Sequence, residues 1–450
     1  MQQIDFSQGS IRRRILAVAT PMLIAQLLNL LYNIVDRIYI GKIPGEGTLA
    51  LASIGLCFPF VTLITAFANL FGLGGAPLCA MARGKGNREG AQGIMVNAGF
   101  MLLLSGAVLT VLGIAFHRPL LYLFGASEVT YPYASSYIVI YLLGTLCVML
   151  SLGLNPYINC QGFARTGMLT VALGAAANIV LDPIFIFALH LGVRGAAIAT
   201  VLSQFLSAAW VVKFLTGKKA ELKLNFRGFR PDCQCIQRIT VLGIASFVMS
   251  FTDTLVQVAC NATLRNFGGD LYISVMTVLN SVRQIAQTPV LAIADGASTA
   301  ISYNYGAGLY KRTRDAIRFM TQIAIGYTML VWMLVSLFPA LFIRIFNQDA
   351  ELVAAAVPAL HIYFFGFVMM AFQYAGQSTF RALGRAKYAV FFSLLRKAFI
   401  VVPLTLLLPY CWNLGVSGVF AAEPVSNCIG GLACYFTMRH VVMPELKMEN

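Results

Sequence analysis

Five acidic residues interrupt long apolar stretches of this 450-residue chain: Asp36, Asp182, Asp253, Asp295 and Glu423. A charge inside a hydrocarbon layer costs about 2.5–3.5 kcal/mol on insertion scales, so each of these carboxylates needs a partner or a purpose. Two of them can be placed by depth. Asp36 lies five residues before Gly41, roughly 8 Å below the outer end of its apolar run. Asp182 lies eight residues before His190, roughly 12 Å down, and Thr200 six residues past Arg194, roughly 9 Å down. The three side chains therefore reach one layer. Asn178 stands four residues before Asp182 and shares its helix face; Ala196 and Thr200 are related in the same way. Pro183 has no N–H to offer the carbonyl of Ile179, which frees one more oxygen beside the pair.

Two carboxylates, an amide oxygen, a hydroxyl and freed carbonyl oxygen form a hard-oxygen cluster, suited to Na+ or a shared proton rather than to a soft metal. The competing reading makes Asp36 and Asp182 structural partners of Arg37 or Arg194, whose long side chains can snorkel to water. Gln26, Asn29 and Asn33 lie on roughly one stripe with Asp36, where they line a cavity or hold helices together. In the second half of the chain, Lys397 and Glu423 both come out near the midplane, roughly 13–14 Å from either face, and an ion pair is expected. Arg283 and Asp253, on adjacent runs, are expected to pair more loosely, and Asp295 lies nearer an end. Met369, Met370, Phe372 and Tyr374 offer a soft surface for varied ligands. The candidate substrate cavity is accordingly Gln26, Asn29, Asn33, Asp253, Arg283, Met369 and Gln373.

The composition names the medium that surrounds these residues. Hydrophobic residues make up 59% of the chain and charged residues 11%, and mean hydropathy is +0.78. An ordinary soluble domain carries about 25% charged residues. A disordered chain, a nucleic-acid-binding domain and almost every soluble enzyme are excluded. Apolar runs recur near 14–40, 49–77, 92–116, 130–155, 163–189, 193–215, 237–267, 273–302, 316–340, 354–378, 388–410 and 414–437, which makes twelve transmembrane helices and an all-α polytopic membrane protein. Of the 32 lysines and arginines, 23 fall in one alternating set of loops. Six (Arg37, Lys42, Arg118, Arg194, Arg265, Arg344) fall in the other, and three lie inside spans. The positive-inside rule then puts both termini in the cytoplasm of a multi-pass cytoplasmic-membrane protein. It also accounts for the net charge of +15 without any nucleic acid. The ten cysteines are scattered, six of them inside spans, and no Cys or His spacing suits a metal. No cofactor is expected.

The chain also repeats itself. Gly84-Lys85-Gly86 matches Gly306-Ala307-Gly308, residues 118–124 match 339–346 in character, Pro183 matches Pro403, and the glycines at 192 and 195 match those at 415 and 418, all at offsets of 220 to 223. Six spans per repeat give both halves the same orientation, a parallel repeat about the membrane normal. Two pseudo-symmetric six-helix lobes follow, at 1–215 and 237–440, with a basic cytoplasmic linker at 216–236, a tail at 441–450 and a cleft between the lobes.

Pro21, the stretch VDRIYIG at 35–41, the glycine-flanked basic loop 83–90 and above all NIVLDPIFIF at 178–187 resemble the multidrug and toxic compound extrusion (MATE) family, within it the MepA-like bacterial branch. The resemblance implies a V-shaped, monomeric antiporter in the membrane lipid that exports bulky, often cationic organic compounds in exchange for Na+ or H+. It implies a cation site at Asp36, Asn178, Asp182 and Thr200 with the backbone at Ala196. Some members carry coupling acids in spans seven and ten; Asp253 matches the first, but the tenth span here has no acid. Two alternatives stay open. A flippase for lipid-linked sugars would need a cationic cavity, for which only Arg283, Arg396 and Lys397 are available. An integral-membrane enzyme or receptor would need a catalytic motif, and there is no G-x-S-x-G, H-E-x-x-H or Walker A run.

Overall fold

Away from water, a backbone N–H or C=O finds its partner only within its own helix, and the chain among the described residues is helical with no strand. The computed structural model describes residues 3–44, 46–346 and 348–448; residues 449 and 450 of the expected tail lie outside these. The first half holds α1 (Ile11–Gly41), α2 (Gly47–Gly55), α3 (Phe58–Gly84), α4 (Arg88–Leu123), α5 (Tyr131–Leu143), α6 (Thr145–Cys160), α7 (Ala164–Pro183), which continues as a π-helical turn Ile184–Ala188, and α8 (Gly192–Thr216). The second half holds α9 (Cys233–Gly306), α10 (Tyr310–Leu337), α11 (Pro339–Arg344), α12 (Ala350–Phe364), α13 (Met370–Ala382), α14 (Ala386–Leu394), a π-helical turn Leu395–Val401, α15 (Val402–Leu407) and α16 (Val416–Met448). α9 is two spans joined at Gly269, whose φ of 67° is the left-handed conformation that glycine adopts without strain.

Among the described residues, eight helices are long and apolar enough to cross a membrane, and two bent pairs bring the number to ten. The two remaining spans, 270–306 and α16, carry Arg283, Asp295, Glu423 and Asn427 and are correspondingly less apolar. The bent pairs are the fourth and tenth spans. α5 and α6 meet at 55°, and α12 meets Phe367–Ala382 at 41°. Gly144 and Gly366 stand at the two bends. A Cβ at Gly144 would come within 2.6 Å of Val201, and one at Gly366 within 2.7 Å of Pro424. Each bend is thus a place where a neighbouring helix needs a residue without a side chain.

The helices sort into two units. One comprises Met1–Asp5 and Thr20–Gly243, the other Phe6–Ala19 and Ile244–Asn450. In the first, α3 packs on α4 and α6, and the fully buried Tyr157 donates its hydroxyl proton to the Phe71 carbonyl at 2.8 Å. The stretch between α8 and α9 lies on this unit. Leu222 is buried and its N–H donates to Gln161 Oε1 at 2.9 Å; Arg83 pairs with Glu221 and donates to the Cys160 carbonyl; the Asp232 N–H donates to Asn97 Oδ1 at 3.0 Å. In the second unit, buried side chains from Leu264 through Tyr363 to Phe420 form one apolar core. α16 runs on as helix through the first eight residues of the expected tail.

Candidate functional site

The last turns of α1 carry Tyr32, Asn33 and Asp36, and the last turns of α7 carry Asn178 and Asp182. Pro183 follows directly, and there the helix widens into its π turn. Asp182 is wholly buried, Asn178 nearly so and Asp36 half-buried. The carboxyl groups of Asp36 and Asp182 lie within reach of each other, so that two like charges would face one another unless a proton or cation joins them. Asn178 Nδ2 donates to Asp182 Oδ1 at 3.2 Å. Among the described residues, Asp36 Oδ1, Asp182 Oδ2 and Asn178 Oδ1 are buried and accept no hydrogen bond. Three oxygens in this state are incomplete without a proton or a cation.

Around this centre stand residues that sequence reasoning missed. Tyr32, hydrogen-bonded to Asn33, lies within electrostatic reach of both carboxyls, and Tyr137 within reach of Asp36. Tyr137 stacks on Tyr141, both buried on α5. Tyr32 could have been found as the residue one turn before Asp36. Nothing in the sequence brings the fourth span here.

Thr200 donates to the Ala196 carbonyl at 2.9 Å on α8, which packs along α7. Its proton is spent there. Among the described residues no ion pair within 4.0 Å joins Asp36 or Asp182 to Arg37 or Arg194, although the Arg37 charge acts on Asp36 at longer range. Arg37 lies 5.0 Å over the Phe58 ring, and Arg194 is exposed. Gln26 is half-buried, Asn29 and Asn33 are exposed, and Asn33 Nδ2 donates to the Asn29 carbonyl at 2.6 Å.

The second unit holds a separate charge cluster. Glu423 Oε1 accepts from Lys397 at 3.0 Å, Arg396 at 3.2 Å and Arg283 at 2.8 Å. Asp253 pairs with Lys397 at 3.1 Å, and Arg396 also donates to Asn427 at 2.7 Å. The expected Lys397–Glu423 pair is present. Arg283 and Asp253 act on each other only at longer range: the close contact of Arg283 is with Glu423 and that of Asp253 is with Lys397, the buried lysine on the π turn reaching both acids. That turn also explains how neighbours Arg396 and Lys397 are both buried, since it shifts the helical register. The three cations that a flippase-like cavity would use thus converge on one carboxylate. Asp295 pairs with Arg381 at 3.7 Å.

The soft surface expected on the tenth span is largely closed off. Met370 and Tyr374 belong to the apolar core, Gln373 is buried with its Nε2 3.3 Å from Gln377 Oε1, and Met369 is half-buried at the bend. No group of three or more His, Cys, Asp or Glu among the described residues is placed to hold a metal ion.

Comparison with known proteins adds the lineage. The family model MatE matches residues 21–184 and again 245–407, two passes in step with the internal repeat. The multidrug export protein MepA of Staphylococcus haemolyticus is 24% identical over 436 residues, covering 97% of this chain and 95% of its own. The FAD transporter of Shewanella oneidensis is 26% identical over 447 residues, covering 96% of each chain. A crystal structure of MATE in complex with MaD3S superposes with a TM-score of 0.93 at 23% identity, covering 100% of this chain and 99% of that one, a likeness of fold.

Proposed function

The chain belongs to the MatE family, the multidrug and toxic compound extrusion transporters, and on that premise we propose that it is a secondary antiporter. It exports organic compounds across the cytoplasmic membrane in exchange for H+ or Na+ taken up at Asp36 and Asp182. The observation that carries this reading is the facing pair of carboxyl groups with three buried oxygens, Asp36 Oδ1, Asp182 Oδ2 and Asn178 Oδ1, unsatisfied among the described residues. The names of the relatives, a multidrug export protein and a FAD transporter, support organic cargo.

The mechanism follows from the cost of charge. With both acids ionised, two like charges face each other in a medium of low dielectric, so the state is unfavourable until a proton or Na+ enters. Neutralisation lets α1, α7 and α8 pack more closely around the layer. The π turn beyond Pro183 supplies the backbone slack for that repacking. Loss of the cation on the cytoplasmic side resets the unit. Both termini lie in the cytoplasm, the chain acts as a monomer, and no cofactor takes part.

The test is efflux of a fluorescent organic substrate from proteoliposomes with an H+ or a Na+ gradient imposed separately. One gradient drives export by the wild type. Asp36→Asn and Asp182→Asn insert and fold but lose that drive. Full gradient-driven export by Asp182→Asn protein would move the coupling site elsewhere.

A further inference from the structure

The charge cluster of the second unit does not balance. Arg283, Arg396 and Lys397 supply three positive charges against two negative ones from Glu423 and Asp253, and among the described residues no other charged side chain pairs with them. The excess is buried. Side-chain exposure is 2% for Lys397, 5% for Arg396 and Glu423, and 19% for Arg283, whereas Asp253 is 45% exposed. All three cations already converge on one oxygen of Glu423, its Oε1. Arg283 Nε is buried and has no acceptor among the described residues. A cavity of about 20 Å³ adjoins the cluster, bordered by Asp253, Asn280, Arg283, Tyr363, Lys397 and Glu423. That is room for one water-sized group, such as a single oxygen of an incoming head group.

A net positive charge held in a low-dielectric interior is unfavourable until an anion completes it. The only anion of the five at the surface is Asp253, and it touches the cluster through Lys397 alone. The other partners are fixed. The Arg283 guanidinium lies 5.7 Å over the Tyr363 ring, and the Tyr363 hydroxyl donates to Asn280 Oδ1 at 2.9 Å. Turning the Asp253 carboxylate outward would leave Lys397 and Arg283 as the cationic lining of the cavity. A planar guanidinium beside an ammonium is a pairing suited to an oxyanion.

We propose that this cluster is an anion-binding subsite that takes the oxyanion head group of an exported organic anion, with Asp253 as a tethered stand-in displaced from Lys397 when the substrate binds. The proposal rests on the reading of the chain as an exporter of organic compounds and names the chemical class of one cargo. The organic body stays outside the small cavity, where fit is undemanding. An organic cation meets repulsion at the same place.

The test uses two dyes built on one xanthene skeleton, fluorescein as the anion and rhodamine 6G as the cation, titrated by fluorescence anisotropy against the purified full chain. No gradient is present, so failure of the antiport reading leaves this measurement intact. Fluorescein saturates on the wild type. Asp253→Asn, which removes the competing carboxylate, tightens fluorescein by about tenfold and does not tighten rhodamine 6G. The double variant Asp253→Asn/Lys397→Gln keeps the wild-type net charge and loses that gain; size-exclusion profiles show that both variants are folded. Fluorescein that fails to saturate on the wild type, or binds Asp253→Asn no more tightly, overturns the proposal. So does a gain that survives in the double variant.

Discussion

Pro183 and Pro403 occupy equivalent places in the two halves, 220 residues apart, and each adjoins a π-helical turn: Ile184–Ala188 follows the first, Leu395–Val401 lies just before the second. A proline leaves the carbonyl four residues earlier without its donor, and a wider turn is one way for the helix to absorb the loss. In the first unit the wide turn starts directly after Asp182. In the second it buries Arg396 and Lys397 side by side. One backbone device therefore positions both charged centres.

Replacing Pro183 by alanine restores a regular helix beside Asp182. An interior proline costs about 3 kcal/mol relative to alanine in an isolated helix, and part of that is already recovered by the π turn. The variant is expected to melt at a higher temperature, bind substrate as the wild type does and export several-fold more slowly under a gradient. Wild-type turnover in the alanine variant would remove the role assigned to the turn.

A change at Thr200 is the test that would separate the two coupling ions. Its hydroxyl donates to the Ala196 carbonyl. A Na+ ion uses such an oxygen as a ligand, whereas a proton on a carboxyl does not need it. Thr200→Ala is expected to raise the Na+ concentration for half-maximal export severalfold while leaving H+-driven export near the wild-type rate. Equal losses under both gradients would make Thr200 a packing residue.

The spans could be read from the sequence because apolar runs long enough to cross a bilayer have few alternatives to helix. The repeat was readable because left-handed glycines and helix-breaking prolines constrain backbone: Gly86 and Gly308 both sit at positive φ, as do Gly192 and Gly415. The meeting of Asp36 with Asp182 followed from depth along two helices. The bends at Gly144 and Gly366 did not, since hydropathy is blind to where a neighbouring helix presses in. Nor did the partner of Arg283. Depth places a Cα along the membrane normal, but a long side chain chooses its acid laterally, and the π turn moved Lys397 between the two candidates. The docking of residues 217–232 was hidden for a similar reason: basic composition suggested a solvated linker, while Leu222 and Leu224 bury themselves between the charges.

Asn225 tests the orientation. It is exposed in the basic stretch between α8 and α9. The loop-charge asymmetry predicts that this stretch lies in the cytoplasm. An Asn225→Cys reporter in a background without other accessible thiols is expected to resist membrane-impermeant maleimide in intact cells and to react after permeabilisation. Strong labelling of intact cells would invert the topology.

Glu221 holds the same stretch in place. Its carboxylate pairs with Arg83, whose side chain is 8% exposed, and its carbonyl accepts from Arg88 at 2.6 Å. Glu221→Ala removes the carboxylate that pairs with Arg83 and leaves the guanidinium its bond to the Cys160 carbonyl. Because Glu221 itself is one-third exposed, the expected loss is about 1–2 kcal/mol, read as a lower thermal midpoint of the purified protein. Lys219→Ala, at an exposed neighbour, is expected to melt with the wild type. Identical melting of both variants would mean that the stretch is held by its leucines alone.

Glu423 is where the second unit is most exposed to a single change. Three cations from two helical segments, Arg283 on α9 and Arg396 and Lys397 on the π turn before α15, share its Oε1, with α16 supplying the acid. Glu423→Gln keeps the shape and removes the charge, leaving three buried positive groups against Asp253. Breaking a buried pair by removing one partner costs about 3–5 kcal/mol, mostly because the remaining charge stays behind. The variant is therefore expected to express poorly or melt well below the wild type. A second change distinguishes charge from packing. Glu423→Gln/Lys397→Met restores the original excess of one positive charge and replaces the lysine stem with an apolar chain of similar length. It is expected to regain much of the lost stability, although Asp253 then loses its partner at the surface. Recovery in the double variant identifies charge imbalance as the cause of the loss. If the single variant melts with the wild type, Glu423 does not hold these helices together, and their packing rests on the apolar core from Leu264 to Phe420 instead.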